Sequence, residues 1–120
     1  MMGSTGSLDP GVAAAQAALT RAIILSCGDW PRLRVGYDND VAEFAALGAL
    51  PLAAITCPTL IIHGTADHSV PITHAEHAHA RIGSSELRWI PGGPHTAFLV
   101  NPDAQQYALS WLLAHHGDQP

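Results

Sequence analysis

The sequence predicts an α/β protein in which a helical N-terminal segment precedes a parallel β-α-β-α unit. Three observations predict it. "PTLIIHG" (Pro58 to Gly64) is a short, unbroken, β-branched-rich apolar run, the pattern of a strand buried on both faces in a parallel sheet. "ELRWI" (Glu86 to Ile90) is a second short strand, and a stretch with helical spacing lies between the two. From Pro58 onward the order is strand, loop, helix, strand, loop, helix, which makes the connection a crossover and the strands parallel.

The elements follow in order. Residues 1–10 are expected to be a disordered tail, because "MMGSTGS" is polar and lacks the basic and apolar parts of a secretory signal. Residues 11–51 form a helical segment. Val12, Ala15, Leu19 and Ile23 recur at helical spacing, so a helix runs from Val12 to about Leu25. "SCGDWPRLRVGYDND" then interrupts the pattern with two glycines and a proline. Asp38, Asn39 or Asp40 caps a short second helix carrying Val41, Phe44 and Ala45 on one face. "LGALPLAAITCP" is a loop-like connection. The β-α-β-α unit fills residues 52–117. Thr73 and Glu76 have the spacing of a capping box, and Ile72, Ala75 and Ile82 give a helical stripe ending at Gly83. Asn101 caps the last helix, Pro102 takes its first position, and Ala104, Tyr107, Ala108, Trp111 and Leu112 form its apolar side up to Gly117.

Composition bounds the function. A chain of 120 residues is one domain at most. Hydrophobic residues are 48% and charged residues 12%, which fits a globular chain rather than a disordered one. The five basic residues are all arginines, and the formal net charge is −5, so nucleic acid is not the expected partner. No apolar run approaches the ~18 residues of a membrane span. Cys27 and Cys57 are too few for a disulfide framework, which points to reduced thiols and a cytoplasmic setting.

Ligand chemistry in an open α/β sheet sits beyond the carboxyl ends of the strands. Asp67 and His95 both fall there, on consecutive crossovers. An aspartate can fix the tautomer of a histidine and stabilise its imidazolium. The imidazole can then take a proton from a nucleophile and return it to a leaving group.

Taken together, "CPTLIIHGTADHSVPITHAEHAHARI" and "SSELRWIPGGPHTAFLVNPDAQQYALSWL" resemble the C-terminal part of an α/β-hydrolase of the esterase or lipase-like kind. The resemblance covers Leu52 to Ala114. In that family the chain order is nucleophile, acid, histidine. The acid follows the penultimate strand in a G-x-x-D-x-x-V-P setting, which Asp67 matches. The histidine follows the last strand in a G-G-x-H loop, which His95 matches. More loosely, "DWPRLRVGYDNDVAEFAAL" resembles the cap that the family inserts above its active site, where Trp30 and Tyr37 would line an acyl pocket or pack on the surface. The resemblance implies hydrolysis of carboxylic esters or similar acyl compounds, with a small-molecule substrate and no cofactor.

The departure from the pattern is a missing nucleophile. No G-x-S-x-G elbow occurs in the chain, and the residues before Asp67 read mostly as helix or loop. Ser26 and Cys27 come closest, but Ile24 stands where the elbow needs a small residue. Ser69 is too near Asp67 for both to face one histidine. The nucleophile is therefore expected from a partner chain, and the isolated chain is expected to be inactive or weakly active. The alternative is a non-catalytic module that associates through its sheet edge, as a homo-oligomer or with another protein. "HAEHAH" raises a metal reading, since His74 and His77 lie one turn apart. His79 points off that face and no third ligand converges, so no metal site is expected.

Overall fold

A computed structural model describes residues 9–117. Its centre is a pair of parallel strands, β1 (Thr59–Gly64) and β2 (Ser85–Ile90), in register from Thr59 opposite Ser85 to Gly64 opposite Ile90. Helix α3 (Ile72–Arg81) makes the crossover and packs on both strands. A 3-10 turn (Ala97–Val100) follows β2 and leads into α4 (Pro102–Ala114), which packs on β1 and on that turn. The βαβα order and the parallel pairing are those expected from the sequence. Among the described residues the sheet has two strands, so the second edge of β1 has no pairing partner.

The helix ends show why the elements stop where they do. Asn101 Oδ1 accepts from the amide of Ala104 at 2.9 Å, and Pro102 fills the first turn, where its missing N–H costs nothing. The helix ends at Ala114 rather than running to Gly117, and His115 closes it by donating Nδ1–H to the Trp111 carbonyl at 2.8 Å. At α3 the expected capping box does not form. Pro71 occupies the cap position, so Thr73 lies inside the helix and makes no cap hydrogen bond. Ala75 and Ile82 are buried as the stripe requires, whereas Ile72 is exposed.

Two longer helices precede the sheet, and both differ from the expectation. Helix α1 (Pro10–Ser26) starts inside the segment expected to be tail, because Asp9 caps it by accepting from the amides of Gly11 and Val12. Helix α2 (Trp30–Ala46) starts well before Asp38. Pro31 sits in its first turn, where proline is favoured, and Gly36 is carried in the interior. The side of α1 that docks is also not the apolar stripe. Val12 and Leu19 are half-buried, Ala15 and Ile23 are exposed, and Gln16 is the buried residue. Its amide meets the Thr96 hydroxyl and tethers α1 to the turn after β2. All of α2 is exposed. No single described helix is long and apolar enough to cross a membrane. The α1–α2 pair passes by length and composition only, with a 98° bend between its halves.

Among the described residues the buried hydrophobic side chains are Ala75, Ile82, Ile90 and Ala97, clustered where α3 and the last turn meet the strands. Tyr107 and Trp111, expected in this core, are half-buried instead. Both donate to the Glu86 carboxylate on β2, Tyr107 through its hydroxyl and Trp111 through Nε1–H at 3.1 Å. Arg88, two residues along the same strand face, lies 3.7 Å from the centre of the Tyr107 ring. Helix α4 is thus seated partly by polar contacts. The phenol of Tyr107 is held above its usual pKa, chiefly because it donates to the Glu86 carboxylate.

Candidate active site

The two loops beyond the carboxyl ends of β1 and β2 are stitched together by backbone. Thr65 N–H donates to the Ile90 carbonyl and Ala66 N–H to the Gly93 carbonyl, both at 3.0 Å. Gly92 N–H donates to Thr65 Oγ1 at 2.8 Å. Gly92 has φ +67°, a conformation that side chains disfavour, and it turns the loop sharply after Pro91. Gly64 meets the second loop with no side chain between. A Cβ there would overlap the Gly93 carbonyl group and lie 2.8 Å from the Pro94 oxygen.

This stitching brings together the two residues that the sequence singled out. Asp67 Oδ2 accepts from His95 Nδ1–H at 2.9 Å. The other carboxylate oxygen, Oδ1, accepts from the amides of Ser69 and Val70, each at 2.8 Å. The aspartate side chain is 3% exposed and the histidine side chain 56%. Burial pushes the Asp67 pKa up. The hydrogen bonds from Val70, His95 and Ser69, with the charge of His95, outweigh it and hold the carboxylate at about 2. With Nδ1 committed to Asp67, His95 keeps Nε2 for other chemistry. The pair borders a cavity of about 200 Å³ lined also by Ile62, Ile90, Pro94 and Phe98.

His63 was not singled out by its sequence pattern, because it lies inside an apolar strand run. It also borders this cavity. Its Nε2 is 3.0 Å from the Val70 carbonyl and 3.5 Å from Asp67 Oδ2, and its ring stands edge-on to Trp89 at 6.1 Å.

The other candidates lie elsewhere. Ser26 is the last residue of α1 and donates to the Ile23 carbonyl, and Cys27 follows it, so no strand leads into either of them. Both cysteines are free and exposed. Ser69 contributes its amide to Asp67 and belongs to the turn. His74 and His77 lie on α3, and among the described residues no group of three or more metal-ligating side chains converges. A serine–histidine contact, His79 Nδ1 to Ser85 Oγ at 2.8 Å, is not a base beside a nucleophile. The Ser85 hydroxyl donates to the Ile82 carbonyl at 2.7 Å and accepts from the imidazole. Trp30 and Tyr37 pack against each other on exposed α2, ring centres 5.4 Å apart, rather than lining the cavity.

A parallel βαβα unit with a buried aspartate and an exposed histidine joined across consecutive strand ends defines a partial α/β fold with a candidate acid–base pair. Comparison with known proteins shows what it resembles. An α/β-hydrolase fold protein from Nakamurella multipartita matches 70% of the chain at 40% identity and a TM-score of 0.61, and the chain covers 30% of that protein. A putative non-heme chloroperoxidase from Synechocystis sp. is 51% identical over 53 residues, 43% of the chain. The human serine hydrolase BPHL is 40% identical over 48 residues, 40% of the chain. A polyketide synthase, ThaQ, from Burkholderia thailandensis is 33% identical over 79 residues. No protein-family model matches. The chain has a partial α/β-hydrolase fold and is similar in sequence to α/β-hydrolases, and it spans 4% to 19% of the length of these curated relatives.

Proposed function

We propose that this chain supplies the acid and the general base of a serine-type α/β-hydrolase acting on carboxylic esters or related acyl compounds. The observation that carries the reading is the 2.9 Å contact between buried Asp67 and exposed His95. Asp67 keeps the proton on Nδ1 of His95 and leaves Nε2 unprotonated toward solvent. From there Nε2 accepts the proton of an attacking hydroxyl, the Asp67 carboxylate stabilises the imidazolium, and the proton passes on to the leaving group. No G-x-S-x-G elbow occurs in the 120 residues, so the nucleophile and its oxyanion donors come from outside them. In this reading residues 11–51 belong to a cap, which the attachment of Gln16 to Thr96 beside His95 supports. The exposed thiols of Cys27 and Cys57 suit a reducing, cytoplasmic compartment.

The test is complementation. The chain is mixed with an α/β-hydrolase fragment that carries an elbow and ends before its own acid. Turnover of a p-nitrophenyl ester should appear in the mixture and vanish with His95→Ala. Turnover that survives both Asp67→Asn and His95→Ala would sink the reading.

A second reading is a non-catalytic module associating through the sheet, and a specific observation favours it. The unpaired edge of β1 adjoins an open apolar groove of about 560 Å³ lined by Leu60, Ile62, Phe98, Trp111 and Leu112. An open edge beside an apolar surface is a template for another strand, from a second copy or from a chain that brings the nucleophile. Active material that stays monomeric, with this groove tolerant of charge, would exclude the second reading.

A further inference from the structure

We propose that His63 is a positioning residue for the Asp67–His95 pair, holding the aspartate through Val70. The inference deepens the acid–base reading above and rests on it.

The argument begins with the tautomer. A backbone carbonyl can only accept, so the 3.0 Å contact to Val70 requires the proton of His63 to sit on Nε2. Among the described residues no other group donates to the Val70 carbonyl. The amide of the same residue donates to Asp67 Oδ1 at 2.8 Å. Val70 is therefore gripped on both sides, by His63 at its carbonyl and by Asp67 at its amide. Pro71 follows and biases Val70 toward an extended backbone, which disfavours a helical turn that would withdraw the amide.

Position explains why a strand histidine can do this. His63 is the residue before Gly64, and its side chain is 13% exposed. Its ring is wedged edge-on against Trp89, its register partner on β2. That contact fixes the plane of the imidazole. The Nε2–H also faces Asp67 Oδ2 at 3.5 Å, beyond a normal hydrogen bond but on the oxygen that binds His95. With Nε2–H bonded to the Val70 carbonyl, Asp67 Oδ2 keeps its short bond to His95.

Two substitutions separate positioning from packing. His63→Gln keeps an N–H donor at nearly the same reach and removes the aromatic ring. His63→Phe keeps the ring against Trp89 and removes the donor. The readout is histidine side-chain NMR on the full chain: the Asp67-bound Nδ1 proton of His95, its exchange with water, and the tautomer of His63. Backbone amide spectra certify each fold, and His63→Leu replaces His63→Phe if the latter fails to fold.

The expected result is an Nε2–H tautomer for His63 and a protected His95 Nδ1 proton in the wild type. His63→Gln should retain that proton. His63→Phe should exchange it about tenfold faster, the loss of roughly one hydrogen bond's worth of order. Retention in His63→Phe, or equal loss in both variants, overturns the proposal while the Asp67–His95 pair stands. A wild-type proton that is absent, or unchanged by Asp67→Asn, overturns the pair itself and the proposal with it.

Discussion

Gly64 at the end of β1 runs directly against Gly93 of the loop after β2, backbone on backbone, with no room for a methyl group between them. This is where the loop carrying Asp67 meets the loop carrying His95. A side chain at Gly64 would press on main-chain atoms of Gly93 and Pro94, which cannot swing aside as a flexible side chain would. Gly64→Ala should destabilise the chain by about 1–3 kcal/mol, the range for overpacking a closed site. It should also part the two loops. Denaturant titration reads the first effect, and loss of the Asp67-bound His95 proton reads the second. An Ala variant with unchanged stability and an intact pair would show that the loops do not need this contact.

Asp67 makes stability depend on acid. Its pKa is lowered from 3.8 to about 2 in the folded chain. A depressed carboxylate stabilises the fold wherever it is ionised in both states, above the unfolded value. That contribution fades as pH falls from about 4 toward 2. Wild type should therefore lose more stability than Asp67→Asn over this window, and the gap between them should narrow as pH falls. Parallel stability curves from pH 5 to 2 would contradict the hydrogen-bonding account of the site.

Glu86 should matter to α4 more than an exposed strand residue ordinarily does. It accepts from both Tyr107 and Trp111. Glu86→Ala should lower the melting temperature and bring the Tyr107 phenol back down toward its ordinary pKa, since the Glu86 carboxylate is the chief cause of the upward shift. Ultraviolet titration of the tyrosines measures this. No change in the tyrosine curve would mean that the contact is not kept in solution.

The open edge of β1 should drive self-association. We expect light scattering coupled to size exclusion to show a dimer or larger species at micromolar concentration. Leu60→Lys places a charge in the apolar groove beside that edge and should shift the population to monomer. A clean wild-type monomer would remove the sheet-edge proposal.

Much of this was legible in the sequence, and the reasons are local. Asn101–Pro102 announces a helix start because both residues act within one turn. The two strands and their crossover were readable from apolar runs, and Asp67 and His95 from their place at the strand ends. What was hidden depended on tertiary partners or on position within an element. Pro31 and Gly36 look like breakers, yet a proline in the first turn starts a helix instead of ending one. Thr73 and Glu76 have the right spacing for a capping box, but Pro71 sets the helix start and puts Thr73 inside it. Glu86 reads as an ordinary outward strand residue, because its partners lie 21 and 25 residues further along. His63 was masked by the apolar run around it. Its donor role exists only because the chain returns seven residues later to present a carbonyl.

The hydrogen bonds that fix the acid–base pair all fall between His63 and His95. Asp67 and His95 are 28 residues apart in sequence. Closing a loop of that length costs entropy that grows only logarithmically with length. The geometry of the pair is therefore written into one short, continuous stretch of chain. The hydrogen bonds that position it need only the β1–α3–β2 crossover and the loop that follows β2.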